Sequence, residues 1–132
     1  MGNNPADCAF LFLPVLALAV PAYIGKIELI LAINKELSDM TDSGESFYDG
    51  STFYINNKED LKLIRNVVFE STIWGYINRG STPYEIIVGD VIFNYGDYPQ
   101  VIVFKRHYFF LSDKEVQPLE ELLERLREER KE

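Results

Sequence analysis

The sequence predicts an α+β domain built on one antiparallel sheet of about five strands, with helices on both faces of that sheet. Residues 84–111 form the segment densest in β-branched and aromatic residues, and turn-forming pairs divide it into strands. The segments before and after it carry apolar residues at helical spacing. At 132 residues, with 47% apolar and 26% charged residues, the chain suits one globular domain spanning residues 1–132.

The chain begins with an uncharged, mostly apolar segment, residues 8–25, which is the strongest anomaly in the sequence. A secretory signal would need basic residues before it, and residues 1–7 contain no lysine or arginine. A membrane anchor is a second interpretation, because this length approaches the roughly 20 apolar residues that cross a bilayer. We prefer a third interpretation, in which residues 1–25 belong to the core or to an oligomer interface.

Pro14 and Pro21 are each predicted to start or break a helical segment, and Pro21 is placed to open a helix over residues 22–38. Apolar positions almost encircle that helix, which indicates burial against a sheet or a second subunit. A polar run containing a glycine then ends it. The candidate oligomer interface on this helix is Ile24, Ile27 and Leu31.

The middle of the chain predicts a hairpin followed by a second helix. Asp49-Gly50 lies between aromatic-rich flanks and is a specific signal for a hairpin turn. Asn57 is placed as the N-cap of the helix, and two acidic residues in the first turn suit the positive end of the helix dipole. We predict that this helix continues to Gly80, where a glycine marks its end.

The segment that follows predicts the main part of the sheet. Gly89-Asp90 is a two-residue pair of the kind that closes a hairpin in a primed turn. Lys105, Arg106 and His107 either form a turn into a last strand or lie inside one long strand. The consecutive apolar residues at 101–104 suit a strand covered on both faces, so we expect helices on both. The predicted strands are residues 84–88, 91–95, 100–104 and 108–111.

Ser112 and Glu115 match a capping box, which predicts the start of a third helix with a leucine stripe. Pro118 is predicted to make a second helix start. Residues 127–132 are charged throughout and are predicted to fray as a tail. The resulting order, α-β-β-α-β-β-β(-β)-α, is similar to that of roadblock-type and other profilin-like domains, which often serve as dimeric scaffolds. This similarity is a fold analogy and rests on no residue motif.

Charge and composition limit the possible partners and cofactors. A net charge of −8 opposes general binding to phosphate backbones, so we do not expect a nucleic-acid partner. The single cysteine, Cys8, cannot form an internal disulfide, which fits a reducing compartment and predicts a cytoplasmic protein, with membrane association through residues 8–25 as the open alternative. One histidine and one cysteine cannot supply a zinc site, and scattered glycines form no phosphate loop. We therefore predict no metal and no cofactor.

Two sets of residues are candidate contacts. The basic run Lys105, Arg106 and His107 is a candidate anion or ligand contact, and the same run as a plain exposed turn is the alternative. Tyr95 and Tyr98 bracket a turn and form a candidate aromatic interaction surface. No set of residues matches a catalytic motif, so we predict no catalytic residue and favour a protein that is not an enzyme.

These features predict a non-catalytic protein–protein interaction or regulatory module, homodimeric, whose first partner is another copy of itself. An acidic inhibitor of a basic partner is a variant of that prediction. One alternative is a small-molecule sensor or small enzyme with an aromatic-rimmed pocket between the sheet and the N-terminal helix. Another is a membrane-tethered domain anchored by residues 8–25.

Overall fold

A computed structural model of the chain describes residues 5–41, 43–73, 84–97 and 100–131, with the side chains of all of these except 5–20, 97, 130 and 131. Over these ranges the chain forms three helices and one six-stranded sheet, which confirms the α+β class. The helices are α1 (Pro5–Asp39), α2 (Lys58–Glu70) and α3 (Asp113–Lys131). The strands are β1 (Phe47–Asp49), β2 (Thr52–Tyr54), β3 (Tyr84–Val88), β4 (Val91–Asp97), β5 (Gln100–Phe104) and β6 (His107–Phe110).

The strands lie in the order β1-β2-β3-β4-β5-β6 across the sheet. Antiparallel pairing, as predicted, describes the hairpin β1–β2 and the meander β3–β6. The exception is β2 and β3, which run parallel, so the sheet is mixed. A parallel pair needs a long crossover connection, and α2 lies in that connection because it returns the chain to the starting end of β2.

Left-handed backbone conformations close three of the hairpins. Gly50 at β1–β2 and Gly89 at β3–β4 have φ of 69° and 56°, as primed turns require. The β5–β6 turn is made instead by Lys105 and Arg106, with φ of 48° and 70°. The sequence left two alternatives for residues 105–107, a turn into a last strand or one long strand. The structure shows the turn, followed by the separate strand β6. Lys105 and Arg106, unlike glycine, have a Cβ atom, so the left-handed conformation costs each of them about 1–2 kcal/mol.

One face of the sheet, here called the covered face, carries the core. Its strand residues point to the helices at alternate positions, and their cross-strand partners point the same way. All three helices contribute buried apolar residues to the same cluster. Core residues of this cluster include Phe53, Ile86, Phe93, Ile102 and Phe109 from the strands, and Leu29, Ile33, Leu61, Ile64, Leu119, Leu122, Leu123 and Leu126 from the helices.

The opposite side, here called the open face, is not covered by any of the described helices. We predicted helices on both faces of the sheet. The three described helices all lie on the covered face. The prediction rested on the apolar run at 101–104, and the pleat divides that run between the faces. Ile102 and Phe104 point to the helices, whereas Val101 and Val103 point to the open face. The open face is not uniformly exposed, since Val101 is only 2% exposed.

Helix α1 begins at Pro5 and continues through Pro14 and Pro21, which were predicted to start or break helical segments. A proline inside a helix costs about 3 kcal/mol because a hydrogen bond is lost. Full burial of an aliphatic side chain returns about 1.5–3 kcal/mol, and Leu29 and Ile33 of α1 are both fully buried. Packing of the second half of α1 therefore outweighs the penalty at Pro21.

Within the part of the chain whose side chains are described, no helix combines the length and apolar character needed to cross a membrane. Most of the candidate anchor, residues 8–25, consists of residues whose side chains the structure does not describe. The anchor therefore stays a prediction.

Helix α2 begins as predicted but ends earlier. The Asn57 side-chain oxygen accepts hydrogen bonds from the backbone amides of Glu59 and Asp60 at 2.9 and 3.2 Å, which confirms the N-cap. The helix ends at Glu70 because Ser71 is extended and its hydroxyl donates to the carbonyl of Val68 at 2.5 Å. The remainder of the predicted helix, residues 74–80, lies outside the described residues.

The start of α3 follows the predicted capping box. The backbone amide of Ser112 donates to the Glu115 carboxylate at 2.9 Å, and the amide of Glu115 donates to the Ser112 hydroxyl at 3.4 Å. The helix then passes through Pro118 without a second start. It reaches Lys131, so most of the predicted tail is helical, and its fraying stays a prediction.

Candidate functional site

The predicted basic run lies where the β5–β6 turn meets α1. The Lys105 ammonium lies 3.6 Å from the Glu28 carboxylate of α1. The His107 ring packs so closely on Gly25 that a Cβ atom there would collide with it. Arg106 occupies the turn and is exposed. Since two of the three side chains contact α1, the structure does not bring the run together around one point, and an anion contact here stays a prediction.

The predicted aromatic surface is not formed by Tyr95, which is fully buried on the covered face. Its ring stacks on Tyr84 with centroids 5.9 Å apart, and its hydroxyl donates to the Glu120 carboxylate of α3. Tyr98 lies outside the described residues. Tyr95 is therefore a core residue that anchors α3, and it is not available for a surface contact.

Arg127, in the predicted tail, is packed against the sheet. Its guanidinium lies 4.7 Å from the Tyr84 ring centroid and 5.3 Å from that of Phe53. One nitrogen donates to Glu124 at 3.1 Å, and the other, Nη2, is buried without a hydrogen-bond partner among the described residues. Contact with two aromatic faces offsets part of that cost, so Arg127 holds the end of α3 on the covered face.

The predicted oligomer interface is exposed on α1. Positions three and four apart share one side of a helix, so these side chains form a continuous stripe. The other side of α1 carries the buried Leu29 and Ile33. The α1 stripe consists of Tyr23, Ile24, Ile27 and Leu31, which are 56, 50, 41 and 62% exposed.

Lys26 lies at the border between the α1 stripe and α2. Its ammonium donates to the Ser71 carbonyl at 2.6 Å, at the C-terminal end of α2. Burial lowers the pKa of Lys26 from its usual 10.5, and the charge of Glu115 opposes that shift. The same ammonium lies 5.9 Å from the ring centroid of the exposed Phe69. Lys26 therefore joins α1 to the C-terminal end of α2.

A second apolar surface crosses the open face of the sheet. Its members are direct neighbours in successive strands β1 to β4. The rings at its β1 end, Phe47 and Tyr54, stack with centroids 4.7 Å apart and planes 14° apart. At its other end, Ile92 is 53% exposed. The open-face row consists of Phe47, Tyr54, Ile87 and Ile92.

An acidic row runs beside the open-face row on the same face. It begins with the exposed Asp49 and continues through Thr52 to Glu85, whose carboxylate accepts a hydrogen bond from the Thr52 hydroxyl at 3.3 Å. The six strands contain no lysine or arginine. The side-chain charge on this face, over the described residues, is therefore negative.

Two of the depressions on the described surface bear on the predictions. One, of about 330 Å³, lies between α1 and the sheet, where the pocket alternative places its ligand. Its lining includes Ile92, and Phe104 is the aromatic residue in it. The other, of about 490 Å³, lies at the start of α2, where Asp60 accepts a hydrogen bond from Arg125 at 2.8 Å. No group of three or more histidine, cysteine or acidic residues in the described chain could hold a metal ion.

Sequence reasoning missed the Asp60–Arg125 ion pair and the open-face row for the same reason. Both depend on which elements lie side by side, and the partners of the pair are 65 positions apart in the chain. A related signal was present in β5, whose residues 101–104 are all apolar. In the sequence that run predicts a strand covered on both faces, and it does not identify the open-face row.

Comparison with known proteins found no matching family model, no similar curated protein and no similar solved structure.

Proposed function

We propose that the chain is a non-catalytic interaction module that forms a homodimer through the α1 stripe. The observation that supports this is the exposure of all members of the stripe on the side of α1 opposite the buried Leu29 and Ile33. Each large aliphatic side chain gains about 1.5–3 kcal/mol when it is fully removed from water. A contiguous apolar surface of this kind marks an interaction site.

The spacing of apolar residues along α1 supports helix pairing. Positions 13, 17, 20, 24, 27 and 31 carry Leu, Ala, Val, Ile, Ile and Leu, with alternating gaps of four and three residues. This is the heptad spacing of a seam between two packed helices. In a two-fold dimer the same seam serves both copies, so one stripe is sufficient for the contact. The element order, analogous to roadblock-type and profilin-like scaffolds, is compatible with this proposal.

Light scattering after size exclusion, without detergent, tests the dimer. We expect the full chain to elute at twice its mass of 15.3 kDa. The double variant Ile24→Ser/Leu31→Ser should elute as a monomer, because it places hydroxyls in the centre of the seam. Ile92→Ser is a matched control on the open face and should remain a dimer. A monomeric wild type at high concentration, or a dimeric double variant, would refute the proposal.

A membrane-tethered domain is the second candidate, because α1 also contains residues 8–20, which are uncharged and mostly apolar. Flotation with phosphatidylcholine vesicles distinguishes the two. A tethered domain aggregates without lipid and floats with the vesicles, and the double variant in the stripe floats equally well because residues 8–20 are intact. A dimer that uses the stripe stays at the bottom of the gradient.

A further inference from the structure

The open face differs from an ordinary solvent-facing side of a sheet. In a sheet with one wet side, each strand normally alternates polar residues on the solvent side with apolar residues on the core side. Here the open-face row places apolar side chains in four successive strands, and at about 4.8 Å per strand it is about 14 Å long. Phe47 and Ile92, at its two ends, are 48 and 53% exposed. Tyr108 of β6 adds a further exposed ring on the same face.

The charge beside this row selects the partner. Asp49 and Glu85 lie in the acidic row, the strands carry no lysine or arginine, and the whole chain has a net charge of −8. A second copy docking face to face would bring two acidic rows together, and like charges repel by about 1 kcal/mol per pair at 4 Å even in water. An anionic lipid surface would be repelled in the same way.

We propose that the open face docks a basic partner protein that presents apolar residues flanked by lysine or arginine. The partner's apolar residues cover the open-face row. Its basic side chains lie with their aliphatic stems on Phe47 and Tyr54, whose faces also attract cations, and place their charges beside Asp49 and Glu85. Charge complementarity of this kind raises the association rate and sets specificity. This surface is separate from the α1 stripe, so the proposal does not depend on the homodimer.

The test uses the full chain labelled with ¹⁵N and three ten-residue peptides. The first alternates valine and lysine, the second replaces lysine by glutamate, and the third replaces valine by serine. We expect amide shifts from the valine–lysine peptide to concentrate in β1–β4. We also expect at least tenfold weaker binding of the serine–lysine peptide, and no binding of the glutamate peptide. Equal binding of the serine–lysine peptide would reduce the effect to charge attraction and overturn the proposal.

Variants locate the surface. Ile92→Ser and Glu85→Gln should each weaken binding of the valine–lysine peptide by about threefold to tenfold, corresponding to roughly 0.6–1.4 kcal/mol. Leu31→Ser in the α1 stripe and Glu59→Gln on α2 are matched controls that should bind like wild type. Amide spectra of each variant establish that it is folded. Wild-type affinity in both open-face variants, or shifts centred on α1, would overturn the proposal.

The same samples separate the two proposals. Ile24→Ser/Leu31→Ser tests the dimer and leaves the open face unchanged, so a monomer that binds the peptide normally supports both proposals. Loss of the dimer in Ile92→Ser would show instead that a second copy occupies the open face, which contradicts the proposal made here.

Discussion

The two faces of the sheet contain similar residues and have different environments. Neighbours on β4 illustrate this, since Phe93 is 1% exposed on the covered face and Ile92 is 53% exposed on the open face. Both are apolar, so the difference comes from the placement of the helices and not from the strand sequence. When both alternating sets of a strand are apolar, alternation does not report which face is buried.

The largest expected effect is on stability and distinguishes the faces directly. Phe93→Ala should lower the free energy of unfolding by about 3–5 kcal/mol, because it leaves a cavity under the helices. Ile92→Ala on the same strand should change it by less than about 1 kcal/mol, because that side chain is half in water. Urea unfolding followed by circular dichroism measures both.

Similar losses for the two variants would mean that the open face is covered in the folded monomer. The open face would then have no exposed apolar row on which a partner could dock.

The next effect concerns the point where α1 closes over β6. Gly25→Ala should lower the free energy of unfolding by about 1–2 kcal/mol, because the new methyl group collides with the His107 ring and overpacking outweighs the helix preference for alanine. In a His107→Ala background the collision is gone. There the same substitution should stabilise the protein by up to about 1 kcal/mol.

The double-mutant cycle therefore predicts a change of sign, measured by the same urea unfolding. Additive effects of the two substitutions would show that α1 does not rest on β6 through this contact.

The smallest effect concerns the charge at the edge of the covered side. Since burial lowers the pKa of Lys26 below 10.5, the unfolded chain binds more protons than the folded chain between the lowered pKa and 10.5. The free energy of unfolding of wild type relative to Lys26→Met should therefore rise with pH in that window and level off above it. Below the lowered pKa the difference should not change with pH.

Parallel thermal unfolding series of wild type and Lys26→Met from pH 8 to 11 measure this slope, and the variant removes the contribution of the other groups that titrate there. A difference that falls with rising pH would contradict the burial of Lys26.

Local signals predicted the fold well where the structure is local. The turns at Gly50 and Gly89, the Asn57 cap and the box of Ser112 and Glu115 each need only a few neighbouring residues. The end of α2 was missed because Thr72 pairs with Phe110 of β6, a partner far along the chain. Parallel pairing of β2 with β3 was missed for the same reason.

The candidate sites divide in the same way. Ile24, Ile27 and Leu31 were selected because apolar residues nearly encircle their helix, and they lie on its exposed side. Tyr95 was selected for its position next to a turn, but its place in the sheet register points it into the core. Side-chain direction in a strand changes with every residue, so a shift of one position decides between surface and core.

Placement of every described helix on one side of the sheet has a consequence for valence. A dimer joined through α1 would turn its two open faces away from the joint, and each could hold a basic site. A target with repeated basic sites would then bind both open faces of one dimer. The overall affinity of such two-site binding can exceed the single-site affinity by about 10²–10⁴. The monomeric variant of α1 would keep the single-site affinity and lose this gain, which surface plasmon resonance on a densely coated peptide chip would measure as faster release.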